Sequence, residues 1–105
     1  MAKTKFVLTP NPTFKAKVNI PIPGASPEAV EFTFKHRTKD EYLDWAKNLE
    51  GKDEVDMILE IATGWELADP FDRESVERMI QGYIGSARAI FDAYVFQQTN
   101  AKLGN

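Results

Sequence analysis

The sequence predicts an α+β fold in which an N-terminal antiparallel β-hairpin packs on a C-terminal bundle of about four α-helices. Three observations carry this. Apolar residues alternate with polar ones at period two from Phe14 to Ile20 and again from Val30 to Lys35. From Thr38 onward they recur instead at intervals of three and four. Helix-starting side chains (Thr38, Asp53, Asp72, Ser86) and helix-stopping glycines (Gly51, Gly64, Gly82, Gly85) then divide that second half into four runs.

Taken in order, Met1 to Thr13 is an arm, because Pro10 and Pro12 block a helix. It reads equally as loose chain or as an added edge strand. Phe14, Ala16, Val18 and Ile20 face one way along the first strand, and Lys15, Lys17 and Asn19 the other. Pro21-Ile22-Pro23-Gly24-Ala25-Ser26-Pro27 reverses the chain through a stiff loop, and Val30, Phe32 and Phe34 form the apolar face of the returning strand. A lone hairpin is marginal in water, so this face is expected to lie on helices.

Thr38 and Glu41 form a capping box for helix one, whose stripe is Tyr42, Trp45, Ala46 and Leu49, with Gly51 as its stop. Asp53 caps helix two, with Val55, Ile58, Leu59 and Ala62 inward and Gly64 expected at the positive φ that ends it. The Trp65 to Phe71 segment follows as an ordered loop pinned by Trp65, either a plug docking the flanking helices or a partner-binding aromatic. Asp72 caps helix three, with Val76, Met79, Ile80 and Tyr83 inward. Ser86 caps helix four, whose stripe of Ala87, Ile90, Phe91, Tyr94 and Val95 extends to Gln98 and ends near Lys102 and Gly104. One domain spanning 1–105 is expected, with an arm at 1–13, a hairpin at 14–35 and a helical part at 38–103.

Composition limits the function classes. The chain has no cysteine, so a disulfide framework and a thiolate zinc site are excluded. Lys3 and Lys5 precede only the short apolar run Phe6-Val7-Leu8, and no run approaches transmembrane length, so a soluble cytoplasmic protein without membrane contact is expected. Residues 1–39 carry seven Lys or Arg against two acids, and residues 40–77 carry thirteen acids against three bases. This polarity suits either head-to-tail contact between copies or pairing within one chain. It does not suit a nucleic-acid site, because the acidic middle repels the phosphate backbone.

Site chemistry is thin. His36 is the lone histidine, placed between Lys35 and Arg37 at a strand end where solvated structure explains it. Asp56 and Glu60 have the spacing for a shared divalent ion, but a solvated helix face is the simpler reading. Gly82-Tyr83-Ile84-Gly85 lacks the Lys-Ser/Thr of a phosphate cradle. No catalytic, cofactor-binding or metal-binding residue is assigned, which leaves binding or assembly.

The residues nonetheless resemble a family. The order Phe14 to Ile20, Pro21-Ile22-Pro23-Gly24, Phe32-Thr33-Phe34-Lys35, Trp45, Gly64-Trp65, Asp69-Pro70-Phe71, Tyr83, Ala89-Ile90, Tyr94 and Ala101-Lys102-Leu103-Gly104-Asn105 is similar to the tail assembly chaperones of long non-contractile-tailed bacteriophages. The Pro-x-Pro-Gly loop and the Gly-Trp are its most specific pieces.

The resemblance implies a non-enzymatic protein of the infected cell's cytoplasm that keeps the tape measure protein soluble until the tail tube forms and is absent from the mature virion. It also implies a longer frameshifted form, joined at Lys102 to Asn105, whose added domain contacts tail tube protein or tape measure protein, and self-association into a homo-oligomer. It supplies no catalytic residues. Partner-surface candidates rest on physical reasoning: Ile22, Trp65, Phe71, Phe91, Tyr94 and Phe96, the last either widening the helix-four stripe outward or packing ordinarily. Two alternatives remain open: a structural tail-completion or head-tail joining protein of the virion, and a small host-directed regulator.

Overall fold

A computed structural model of the chain describes residues 6–101. The order is β1 (Thr13–Ile20), β2 (Glu28–Lys35), α1 (Lys39–Lys47), α2 (Glu54–Ile61), β3 (Ala62–Trp65), α3 (Arg73–Gly82) and α4 (Ser86–Thr99). The fold is α+β as expected, with the hairpin packed against the helices. The start of the arm at Met1 to Lys5 and the Lys102 to Asn105 junction lie outside the described residues.

β1 and β2 pair antiparallel from Thr13 with Lys35 to Ile20 with Glu28. This register sends Val18, Ile20, Val30, Phe32 and Phe34 to one face, and all five are buried. The described arm residues 6–12 form no strand; the His36 amide donates to the Pro12 carbonyl and extends the pairing by one step.

The hairpin gains a third strand that periodicity did not predict. Helix two ends at Ile61, and Ala62 turns extended at φ −126° and ψ 153°. β3 then pairs antiparallel with β2, with Phe32 opposite Trp65 and Thr33 opposite Gly64, and a bulge before Phe34 meets Ala62. Gly64 therefore sits in a strand and not at a left-handed helix end; among the described residues the glycines with positive φ are Gly24 and Gly51. The free edge of β2 decided this, because its hydrogen-bonding groups needed a partner that Thr63 and Trp65, both favourable in strands, supply.

Other boundaries shift for local reasons. The Thr38 and Glu41 capping box forms as expected, with both reciprocal bonds present. α1 nevertheless stops at Lys47, and Gly51, at φ 87°, shapes the turn after it. Ala46 is exposed, since the shortened helix presents only Trp45 fully inward. Asp53 and Asp72 cap α2 and α3, accepting from the Asp56 and Ser75 amides. Ser86 does not cap α4. It is the first helical residue, fully buried, with its hydroxyl directed at the Met79 carbonyl, and Gly85 occupies the cap without a side-chain bond. α4 ends at Thr99 because Asn100 takes φ 61°, a left-handed conformation that asparagine tolerates. Tyr83, expected inward, is 41% exposed, because α3 ends at Gly82 and the chain leaves the helical path there.

One core joins all of these elements. Phe32, Phe34, Ile58, Ile61, Val76, Ile90 and Tyr94 are each at most 1% exposed and form its centre.

Candidate partner surface

Two places on the molecule collect unusual side chains. The first is an aromatic cluster where β1, β2, α1 and α4 meet. Tyr94 lies within ring-contact distance of Phe14, Phe34 and Trp45, at 6.3, 5.6 and 5.3 Å between centroids. Phe91 packs on Trp45 from the other side at 5.8 Å.

Arg37 closes this cluster. Its guanidinium lies 5.2 Å from the centre of the Trp45 ring and 5.9 Å from that of Tyr94, and it donates to the Tyr94 hydroxyl and the Glu60 carbonyl, each at 2.9 Å. The Arg37 amide donates to Gln98 Oε1, which also accepts from the Tyr94 hydroxyl. Glu60 lies in the last turn of α2, where carbonyls lack intrahelical partners and no basic residue of α2 itself is present. Arg37 thus supplies from another element the positive charge that favours a helix C-terminus. Burial raises the Tyr94 hydroxyl above its ordinary pKa of 10.0, and the Arg37 hydrogen bond partly opposes that.

Beside this cluster runs a cleft of about 450 Å³ lined by Lys35, His36, Arg37, Glu41, Asp44 and Lys52, among others. Its charges are balanced. The Thr38 hydrogen bonds, backbone first, hold Glu41 below its ordinary carboxylate range, and Lys52 pairs with Glu60. His36 stands edge-on to Phe14 at 6.5 Å. Asp56 pairs with Arg73, whose hydrogen bond lowers its pKa. Among the described residues no cluster of three or more His, Cys, Asp or Glu side chains has the arrangement to hold a metal ion.

The second place is the hairpin-loop end of the molecule. The β1–β2 loop lies against the α3–α4 turn so closely that a Cβ on Gly85 would approach the Pro21 ring at 3.1 Å. Residues 19–27 and 79–87 contain no Asp, Glu, Lys or Arg, although 28% of the chain is charged. The fold therefore joins two uncharged stretches into one surface. On it Ile84 is 88% exposed, and Tyr83, Pro21 and Pro23 are exposed as well.

Beside this tip, a groove of about 290 Å³ runs between the segment after β3 and α3, lined by Trp65, Leu67, Ala68, Met79 and Tyr83 together with Ser75 and the paired Asp69 and Arg78. Trp65 forms its base. Its indole N–H donates to the Asp69 carbonyl at 2.8 Å, and its ring stands edge-to-face with Phe71 at 5.0 Å and Phe32 at 5.8 Å.

The six residues singled out from sequence thus fall into separate places. Ile22 is half-buried in the loop-end tip. Trp65 and Phe71 are half-buried together at the groove. Tyr94 is fully buried and Phe91 half-buried in the Arg37 cluster, and Phe96 is 37% exposed further along α4. Sequence reasoning passed over Ile84, Leu67 and Arg37. The uncharged Gly82 to Gly85 turn was a signal for Ile84; nothing local marks Arg37, whose partners lie 23, 57 and 61 residues away.

No curated protein and no solved structure matches the chain. Among the described residues no helix is long and apolar enough to cross a membrane. A family model described as phage tail assembly chaperone matches residues 1–105, the whole length of the sequence. The chain therefore belongs to the phage tail assembly chaperone family.

Proposed function

We propose that this protein binds the tape measure protein during tail assembly and keeps it soluble, acting without catalysis in the host cytoplasm and leaving before the virion is complete. The observation that supports this reading is the uncharged loop-end tip, where Ile84, Tyr83, Pro21 and Pro23 are exposed on a loop and a turn that meet at Pro21 and Gly85. A long helical partner exposes apolar stripes that aggregate, and an uncharged apolar tip covers such a stripe without stranding a charge. Ile22 belongs to this tip. Phe96 on α4 is a second exposed contact; Trp65, Phe71, Phe91 and Tyr94 act from behind the surface by holding it. A homo-oligomer of the chaperone would present several tips along one partner, and a frameshifted longer form would add contact with tail tube protein.

The test is co-expression with the tape measure protein of the same genome, followed by affinity capture and measurement of soluble tape measure. Capture with rescued solubility, both lost in Ile84→Asp at an unchanged melting temperature, is the expected result. A tape measure protein that stays insoluble and unbound beside the folded parent refutes the assignment. Detection of the chain in purified particles by mass spectrometry would make it a virion component instead.

A further inference from the structure

We propose that the open edge of β1 is a docking site for an extended segment of a partner protein in which acidic and apolar residues alternate, added to the sheet as a further strand. β1 ends the sheet, whose order is β1-β2-β3, and it runs for eight residues without a bulge or a proline. The arm does not cover it, since the described arm residues 6–12 form no strand.

The register fixes which groups the edge presents. The His36 amide donates to the Pro12 carbonyl, so in this antiparallel pair the hydrogen-bonded positions of β1 recur at Phe14, Ala16, Val18 and Ile20. Thr13, Lys15, Lys17 and Asn19 therefore turn both N–H and C=O away from β2. The same alternation on β2 points Glu31 toward its other neighbour, where its carbonyl accepts from the Glu66 amide. Among the described residues, no backbone or side-chain group bonds to the outward groups of β1. Such a row of open donors and acceptors is what an incoming strand pairs with.

The edge side chains set what that strand must carry, because residues directly opposite each other share a face of the sheet. Lys15 and Lys17 are exposed, and no Asp or Glu occurs among residues 6–27. Glu31 lies opposite Lys17 on β2, yet among the described residues neither lysine forms an ion pair. Acids opposite both lysines therefore favour the added strand. Phe14 and Ala16 pack toward the core but are only half-buried, whereas Val18 and Ile20 further along β1 are buried. Apolar residues at the intervening positions of the partner complete that cover.

A second copy is the wrong occupant for this edge. Antiparallel pairing of two β1 strands centred on Ala16 sets Lys15 of each against Lys17 of the other, and like charges directly opposite are destabilising. The edge also differs from the uncharged tip in what it takes, which is extended chain and not a helical stripe.

The test uses the purified full chain and capped peptides of alternating valine and glutamate, of alternating valine and lysine, and of valine and glutamate with every glutamate amide N-methylated. The last keeps the charge but cannot pair with the edge. Amide hydrogen exchange read by NMR follows each residue of β1. In the free chain the Thr13, Lys15, Lys17 and Asn19 amides should exchange about tenfold or more faster than those of Phe14, Ala16 and Val18. The glutamate peptide, at up to about 1 mM, should slow the first set and leave the second unchanged. Lys15→Glu with Lys17→Glu should weaken that peptide about tenfold and make the lysine peptide the tighter binder; Lys15→Gln with Lys17→Gln replaces it if the reversal melts early, and should weaken the glutamate peptide less. Outward amides that the glutamate peptide does not slow, equal binding of the N-methylated or the lysine peptide by the parent, or outward amides already protected in the free chain by a second copy each overturns the proposal.

Discussion

Replacing Arg37 with methionine tests the joint between the sheet and the helices. The substitution keeps much of the aliphatic length and removes two charge-assisted hydrogen bonds, to the Tyr94 hydroxyl and the Glu60 carbonyl. Net contributions of about 1.5–3 kcal/mol are usual for each such bond. The cation over Trp45 and Tyr94 adds roughly 0.5–2 kcal/mol. Desolvation of the half-buried guanidinium opposes these gains, and a methionine side chain recovers part of the packing. The expected loss for Arg37→Met is therefore about 3 kcal/mol, below the sum of the parts.

The assay is urea unfolding followed by tryptophan fluorescence, since Trp45 lies directly under the guanidinium. Tyr94→Phe should cost about 1 kcal/mol alone, and the double-mutant cycle with Arg37→Met should show a coupling of roughly 1–2 kcal/mol. Arg37→Lys should recover less than half of the loss, because an ammonium lacks the planar fork that reaches both oxygens. Arg37→Met within 0.5 kcal/mol of the parent, a threshold typical of ordinary surface substitutions, would refute this account of the joint.

Three further outcomes follow. Trp65→Ala should cost about 3 kcal/mol by thermal or urea unfolding, the low end of the range for aromatic truncation, because the ring is only partly buried while it supports Phe32, Phe71 and the Asp69 carbonyl; a loss under 1 kcal/mol would make it a surface residue alone. Stability should also fall with acidity. Glu41 and Asp56 have pKa values below their ordinary 4.5 and 3.8, so the folded state binds fewer protons than the unfolded one. Their stabilisation is complete above those ordinary values and is lost as pH falls through the depressed ones. Glu41→Gln with Asp56→Asn should flatten the acid limb of a melting-temperature profile by lowering the neutral-pH value toward the acid one, with little change where both carboxylates are already protonated; an unaltered profile would assign acid sensitivity to other carboxylates.

Tyrosine gives the opposite sign. Tyr94 is held neutral by burial above its ordinary pKa of 10.0, so its contribution is present below that pH and is lost as pH rises beyond it. Alkaline unfolding followed by tyrosinate absorbance should show Tyr94 ionising with the unfolding transition, and the Tyr94→Phe variant should lack that component.

Local rules determined much of this protein. Period-two alternation places Phe14 to Ile20 and Val30 to Lys35 as strands, because a pleated chain sends successive side chains to opposite faces. The caps at Thr38, Asp53 and Asp72 are legible for the same kind of reason, since each side chain answers a backbone amide three residues away. Where two states were locally close, tertiary structure decided. Ala62 closes the helix-two stripe on paper, with Gly64 as the stop and Trp65 opening a loop, yet the open edge of β2 draws Ala62 to Trp65 into the sheet. Ser86 reads as a cap, but the core requires it inside, beneath Met79.

The candidate surface was the least legible, because it arises from packing and not from any one segment. Pro21 and Gly85 touch across 64 positions of sequence, and only that contact turns two uncharged stretches into one tip. Arg37 reads as one more charge beside Lys35 and His36 until the fold lays it across Trp45 and Tyr94. Periodicity and capping are properties of neighbours in the chain; a surface shared by a loop and a helix turn exists only once the core between them has closed.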